Sequence, residues 1–298
     1  MSDPGLPRKQ GLYDPAHEHD ACGVGFVANI KNHKSHQLVA DAISALRHLE
    51  HRGACGCDPD TGDGAGILIQ LPDRFLRREA AALGIELPAE GRYACGMLFL
   101  APDEAEGAAQ IARVEEVVTG EGQTVLGWRD VPTVAGAIGY VAREGLPRVR
   151  QIFIGAADGL EGEAFERKLY VIRRLAEKAN ASDDHFFYVP SLSSRTIVYT
   201  GMLISRQIED FYPDLLDDEL ESALAIVHSR YSTNTMPTWS LAHPFRYMAH
   251  NGEINTLKGN RNWMLAREGT MASELFGDDL KKLYPIMREG ASDSAQFD

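Results

Sequence analysis

Apolar residues recur along this chain with two different spacings. Residues 22–30 (Cys-Gly-Val-Gly-Phe-Val-Ala-Asn-Ile) are a short apolar run with β-branched and aromatic members, which predicts a buried strand. From Ser35 the spacing changes: Leu38, Val39, Ala42, Ile43, Leu46 and Leu49 recur at helical intervals, with Ser35 as N-cap and Gly53 as the stop. A turn-rich stretch, 58–66 (DPDTGDGAG), leads into a strand over 67–71. Further strands are predicted over Tyr93–Leu100, 151–155, 186–189, 195–200, 224–228 and 245–250, and helices over 104–118, 163–180, 257–267 and 279–288. Strands follow one another as often as they alternate with helices, which favours a layered α+β arrangement over a doubly wound parallel sheet. Residues 1–21 are polar, hold Pro4, Gly5, Pro7, Gly11 and Pro15, and show neither period, so they read as a leader before a domain over 22–298.

Composition narrows the classes. Of 298 residues, 44% are hydrophobic and 24% charged, ordinary usage for a chain with a packed core. The formal net charge of −13 argues against a nucleic-acid surface, which needs clustered positive charge. No apolar segment has signal-peptide or membrane-span length, which points to the cytoplasm and no membrane partner. In that reducing compartment Cys22, Cys55, Cys57 and Cys95 are thiols, metal ligands or nucleophiles rather than disulfide partners.

Several local matches fail on context. Gly23-Val-Gly25-Phe-Val-Ala28 has dinucleotide-fingerprint spacing, but its glycines lie inside the strand instead of opening a helix. Thr61–Gly66 is not followed by the Gly-Lys-Ser/Thr of a phosphate loop, so its glycines let backbone run close to something else, the leader or a neighbouring strand. Cys55-Gly-Cys57 and His17-Glu-His19 are each half of a metal-ligand set that nothing completes. Cys95, inside an apolar run, reads as a buried small hydrophobe.

Cys22 opens a buried strand directly after the leader. A thiol with its ordinary pKa of about 8.5 needs a base nearby. Cutting the Ala21–Cys22 bond would supply one, an α-amino group titrating at about 7.7–8.0 on the same residue. The other reading is a structural cysteine at a strand start. Three further segments carry chemistry: Arg230 ends a strand and offers a planar fork for a carboxylate, Asn251-Gly252 has oxyanion-hole composition, and Asp293 can take an ammonium group. Together they suit an amino acid with a scissile side-chain carbonyl.

The ordered blocks CGVGFVA, LRHLEHRGACGCDPDTGDGAGIL, GWRDVP, HSRYSTNT, HNGEINT and SDSA resemble the class II glutamine amidotransferase domains at the front of glutamate synthase large subunits. HSRYST and HNGEI are shared across class II, whereas TGDGAGIL and GWRDVP point to glutamate synthases. The resemblance implies a four-layer αββα sandwich of the N-terminal-nucleophile hydrolase type. It implies removal of the leader to expose Cys22, L-glutamine held by Arg230 and Asp293, and Asn251 and Gly252 as oxyanion hole. Glutamate and ammonia would form through a thioester, and the ammonia would aminate 2-oxoglutarate in a synthase region or on a separate synthase or reductase subunit. FMN and an iron–sulfur cluster are expected only in that synthase part, with no cofactor or metal in this chain. The chain ends just after SDSA, so the amidotransferase domain is expected to be truncated. A catalytically silent glutamine-binding or subunit-interaction module, or a class II enzyme serving another acceptor, are the alternatives.

Overall fold

The computed structural model describes residues 8–12, 14, 23–56, 58–182, 184–232, 235–287 and 291–298. Cys22, Cys57, His17, His19 and most of the leader lie outside the described residues. Among the described residues eight strands are formed: β1 (Val24–Ala28), β2 (Ala65–Gln70), β3 (Tyr93–Leu100), β4 (Thr124–Asp130), β5 (Arg148–Gly155), β6 (Tyr188–Ser193), β7 (Thr196–Gly201) and β8 (Leu224–Ser229). They pair antiparallel into two four-stranded sheets, ordered β1-β8-β2-β7 and β4-β5-β3-β6. The helices are α1 (His36–His48), α2 (Asp73–Ala82), α3 (Glu104–Gly120), α4 (Tyr140–Glu144), α5 (Gly162–Ala179), α6 (Ile208–Phe211), α7 (Leu257–Glu268) and α8 (Asp293–Phe297). The layered mixture of helices and antiparallel sheets agrees with the class read from the spacing. None of these helices is long and apolar enough to cross a membrane.

The period-2 geometry of β3 divides the interior. Tyr93, Cys95, Met97 and Phe99 join a core shared with Ile67, Ile69, Tyr199 and Val227 of the other sheet and with the apolar stripe of α1. Ala94, Leu98 and Leu100 turn to the opposite face, against Val114 and Val118 of α3 and Phe165, Leu169 and Ile172 of α5. Both faces of β3 are therefore dry, which is why its sequence is a continuous apolar run rather than an alternation. Cys95 is part of that interior, where burial pushes its thiol well above the ordinary range.

Ser35 caps α1 as expected, its hydroxyl accepting from Leu38 N–H at 3.3 Å. The glycine-rich turn packs on chain following β7: a Cβ at Gly62 would lie 2.1 Å from the Leu203 carbonyl oxygen. Two predicted elements do not form. Residues 245–250 make a turn, with Phe245 N–H donating to Met248 carbonyl, and the buried Phe245 packs on the His243 ring 4.0 Å away. Over 279–288 the structure has a 3₁₀ helix, Gly277–Leu283, that stops before Tyr284-Pro285 because proline cannot continue the ladder. Conversely β4 and α2 arise where no element is predicted.

The two sheets are tied by a buried polar cluster. Arg129 of β4 donates two parallel hydrogen bonds to Asp214 (2.7 and 2.8 Å), one to Gln151 of β5 (3.1 Å) and two to Glu79 of α2 (2.8 and 3.2 Å). The Tyr199 hydroxyl of β7 donates to the same Asp214 at 3.1 Å. The GWRDVP block is thus a structural clasp.

Candidate active site

β8 is an inner strand, paired to β1 on one side and β2 on the other, so its end is rigidly placed. Arg230 follows it directly, and its backbone N–H donates to the Gly64 carbonyl at 2.8 Å. Its guanidinium, with only 6% of the residue exposed, donates to the Asp63 carbonyl (3.1 Å) and the Thr235 hydroxyl (2.8 Å). Asp63 also takes the Ser232 N–H at 2.6 Å on its carboxylate. Burial pushes Arg230 down from its ordinary value, and the Asp63 and Asp293 carboxylates oppose that. Burial likewise raises Asp63 above the usual carboxylate range despite Ser232 and Arg230.

The Asn251 side-chain amide donates to the Ser229 carbonyl at 3.1 Å, which ties the HNGEI segment to the end of β8. Ser229 N–H in turn donates to Gly23 carbonyl at 2.7 Å. Gly23, the residue after Cys22 in sequence, is pressed against both: an added Cβ would stand 2.2 Å from Ser229 O and 2.3 Å from Asn251 Nδ2. Gly23→Ala is therefore expected to destabilise the fold by about 1–3 kcal/mol through overpacking. The urea midpoint reads this directly, and an unchanged midpoint would mean that the segment relaxes freely.

Asp293, at the start of α8, accepts from Ile254 N–H on one oxygen (2.6 Å) and from Ser294 N–H (2.6 Å) and hydroxyl (2.9 Å) on the other. Burial raises its carboxyl, but these donors together with His250 outweigh it and hold the group below the usual range. It is an anion at neutral pH that also pins the loop carrying Asn251 and Gly252.

Arg230, Thr235, Asn251, Gly252 and Asp293 line one cavity of about 200 Å³. That is below the roughly 300–1,000 Å³ of pockets taking drug-sized ligands and suits a small one. A cation and an anion line a space that an asparagine and a glycine also line, the combination of residue types for a zwitterion with a polarisable carbonyl. So the structure brings together four of the five predicted residues, and the fifth, Cys22, lies outside the described residues. Asp63, Thr235 and the Ser229 carbonyl were not singled out in the sequence. Asp63 lies in the TGDGAG block, whose acidic residue between glycines was the available signal.

His243 also lines this cavity, and its buried ring stacks on that of the buried His228, 4.5 Å away. Burial pushes His228 down to about 3 and His243 to about 2, so both are neutral imidazoles near neutral pH. Among the described residues no group of three or more His, Cys, Asp or Glu is arranged to hold a metal ion, and Cys55 lies exposed.

Residues 22–298 match the family model described as glutamine amidotransferases class-II. The chain is 51% identical over 294 residues to the glutamate synthase [NADPH] large chain of Bacillus subtilis, covering 98% of this chain and 19% of that protein. It is 44% identical over 303 residues to glutamate synthase [NADH] of Saccharomyces cerevisiae, covering 98% and 14%. It is 42% identical over 294 residues to the chloroplastic ferredoxin-dependent glutamate synthase 2 of Arabidopsis thaliana, covering 98% and 18%. The chain thus spans less than a fifth of the length of these curated relatives.

Proposed function

Because the chain belongs to the class-II glutamine amidotransferases, we propose that its site hydrolyses the side-chain amide of L-glutamine, with Cys22 as nucleophile. The observation that carries this reading is the single small cavity lined by Arg230, Asp293, Asn251 and Gly252. Arg230 binds the α-carboxylate with the guanidinium donors not committed to Asp63 and Thr235, and Asp293 binds the α-ammonium. Removal of residues 1–21 frees the Cys22 α-amino group, which takes the thiol proton. The thiolate adds to the amide carbon, and the oxyanion receives hydrogen bonds from Asn251 Nδ2 and the Gly252 N–H. Collapse expels ammonia as the protonated leaving group and leaves a γ-glutamyl thioester, which water then hydrolyses to glutamate and free thiol.

The finer fold proposed with this chemistry is the four-layer αββα sandwich of N-terminal-nucleophile hydrolases, with 1–21 as propeptide and 22–298 in the amidotransferase domain. The likeness to glutamate synthases supports ammonia delivery to a synthase region that aminates 2-oxoglutarate. FMN and an iron–sulfur cluster belong to that region in this reading. Among the described residues the thiols do not fit a cluster, since Cys55 is at the surface and Cys95 within the apolar core.

Ammonia release from glutamine by purified chain tests the reading. Stabilisation by glutamine without ammonia release would favour a silent binding module instead. Arg230→Lys is expected to raise the glutamine KM by roughly 10- to 100-fold, from the loss of charge-assisted hydrogen bonds worth about 1.5–3 kcal/mol. Steady-state kinetics decide this, and an unchanged KM would move the carboxylate contact away from Arg230.

A further inference from the structure

His228 lies in β8 two residues before Arg230 and is fully buried, yet it has no part in the chemistry above. Its ring is fixed by a column of rings: it stacks on His243, and His243 leans on Phe245 with centroids 4.0 Å apart. Both ring nitrogens of His228 are buried with no hydrogen-bond partner, and so is Asn251 Oδ1. The Asn251 amide is anchored on the carbonyl of Ser229, the residue next to His228, and the ring of His250, the residue before Asn251, stands 6.2 Å from the His243 ring on which His228 stacks. A buried donor and a buried acceptor lacking partners side by side are costly to leave unmatched.

Asn251 has two possible amide orientations, and only one serves an oxyanion. With Nδ2 on the Ser229 carbonyl at 3.1 Å, Oδ1 points away from that acceptor. We infer that His228 is a positioning residue for this amide: a ring N–H donates to Asn251 Oδ1, so one Nδ2 hydrogen goes to Ser229 and the other faces the cavity. The inference takes the meaning of the cavity from the amidotransferase reading, whereas the contact itself does not depend on it. The depressed basicity of the ring agrees, because a neutral imidazole keeps one N–H and one lone pair through the working pH range.

The test uses the 298-residue chain with His228→Phe, Asn251→Ala, both together, and His228→Gln, which keeps an N–H donor in the same place. Ammonia release from glutamine is measured alongside ring N–H resonances of ¹⁵N-histidine-labelled protein. His228→Phe is expected to lower kcat by roughly 10- to 100-fold with little change in KM, less than the full loss of an oxyanion donor. The double variant should be no slower than Asn251→Ala alone, because both changes remove one device. His228→Gln should recover part of kcat. A slowly exchanging ring N–H, assigned by its loss in His228→Phe, should shift in Asn251→Ala.

Losses that multiply in the double variant, an effect carried by KM, or a ring N–H indifferent to Asn251→Ala would each overturn the assignment. If the parent chain releases no ammonia while the ring N–H responds to Asn251→Ala, the amidotransferase reading falls and the positioning contact stands. The opposite pattern removes His228 and keeps the enzyme. Should His228→Phe fail to fold, His228→Gln and the resonance in Asn251→Ala still decide.

Discussion

Cys22→Ala is expected to lower glutamine hydrolysis by about 10⁴-fold or more, the scale seen when a covalent nucleophile is deleted while binding groups stay. Arg230, Asp293, Asn251 and Gly252 would still bind and polarise glutamine, but no thiolate would be available to form the thioester. Glutamine should therefore still raise the melting temperature of the variant. Intact-protein mass adds a second readout. Parent protein should be lighter by residues 1–21 and Cys22→Ala should keep them, if the same thiol is needed for leader removal. Full activity in Cys22→Ala would remove this residue from the mechanism. Full-length mass in both proteins would mean a dormant precursor, because an uncut Cys22 has an amide nitrogen instead of an amine base, and the hydrolysis proposed for this chain would be withdrawn.

Arg129→Leu is expected to destabilise the fold by roughly 3–5 kcal/mol, since it strands the Asp214 carboxylate, whose side chain is 4% exposed, without its counter-charge. For a chain of this size that lowers Tm on the order of 10 °C. The effect should far exceed that of an exposed pair such as Arg195–Glu163, worth about 0–1 kcal/mol. Adding Asp214→Leu should restore part of the loss, because replacing both charges by apolar groups removes the stranded carboxylate. Thermal and urea unfolding of the two variants decide the matter. A loss below about 1 kcal/mol in Arg129→Leu would mean that Glu79, Gln151 and Tyr199 do not need the guanidinium to hold the sheets together, since that is the range of an ordinary surface change.

Legibility followed local determinism. The strand at Tyr93–Leu100 and the helix capped by Ser35 could be read because their signals are internal: a continuous β-rich run in one, a cap followed by an apolar stripe in the other. α2 escaped because DRFLRREAAA places charges over most of its surface and buries only Phe75, Leu76 and Ala80. Residues 245–250 have strand-like composition, but Phe245 is buried by the His243 ring rather than by a neighbouring strand. Whether an apolar residue meets a ring or a ladder is not written within six residues.

The site divides in the same way. Arg230, Asn251, Gly252 and Asp293 were nameable because each residue type carries one evident chemistry, and the order of their blocks marks the family. Their meeting in one cavity, the anchoring of Arg230 by Asp63 from 167 positions away, and the bracing of Asn251 by Ser229 depend on strand pairing between β8, β1 and β2. Sequence alone settled which functional groups this protein has and the elements with strong internal periodicity. The tertiary structure decided which groups face one another, because hydrogen-bond partners, dryness and local charge are properties of neighbours in space, and antiparallel pairing brings those neighbours from distant parts of the chain.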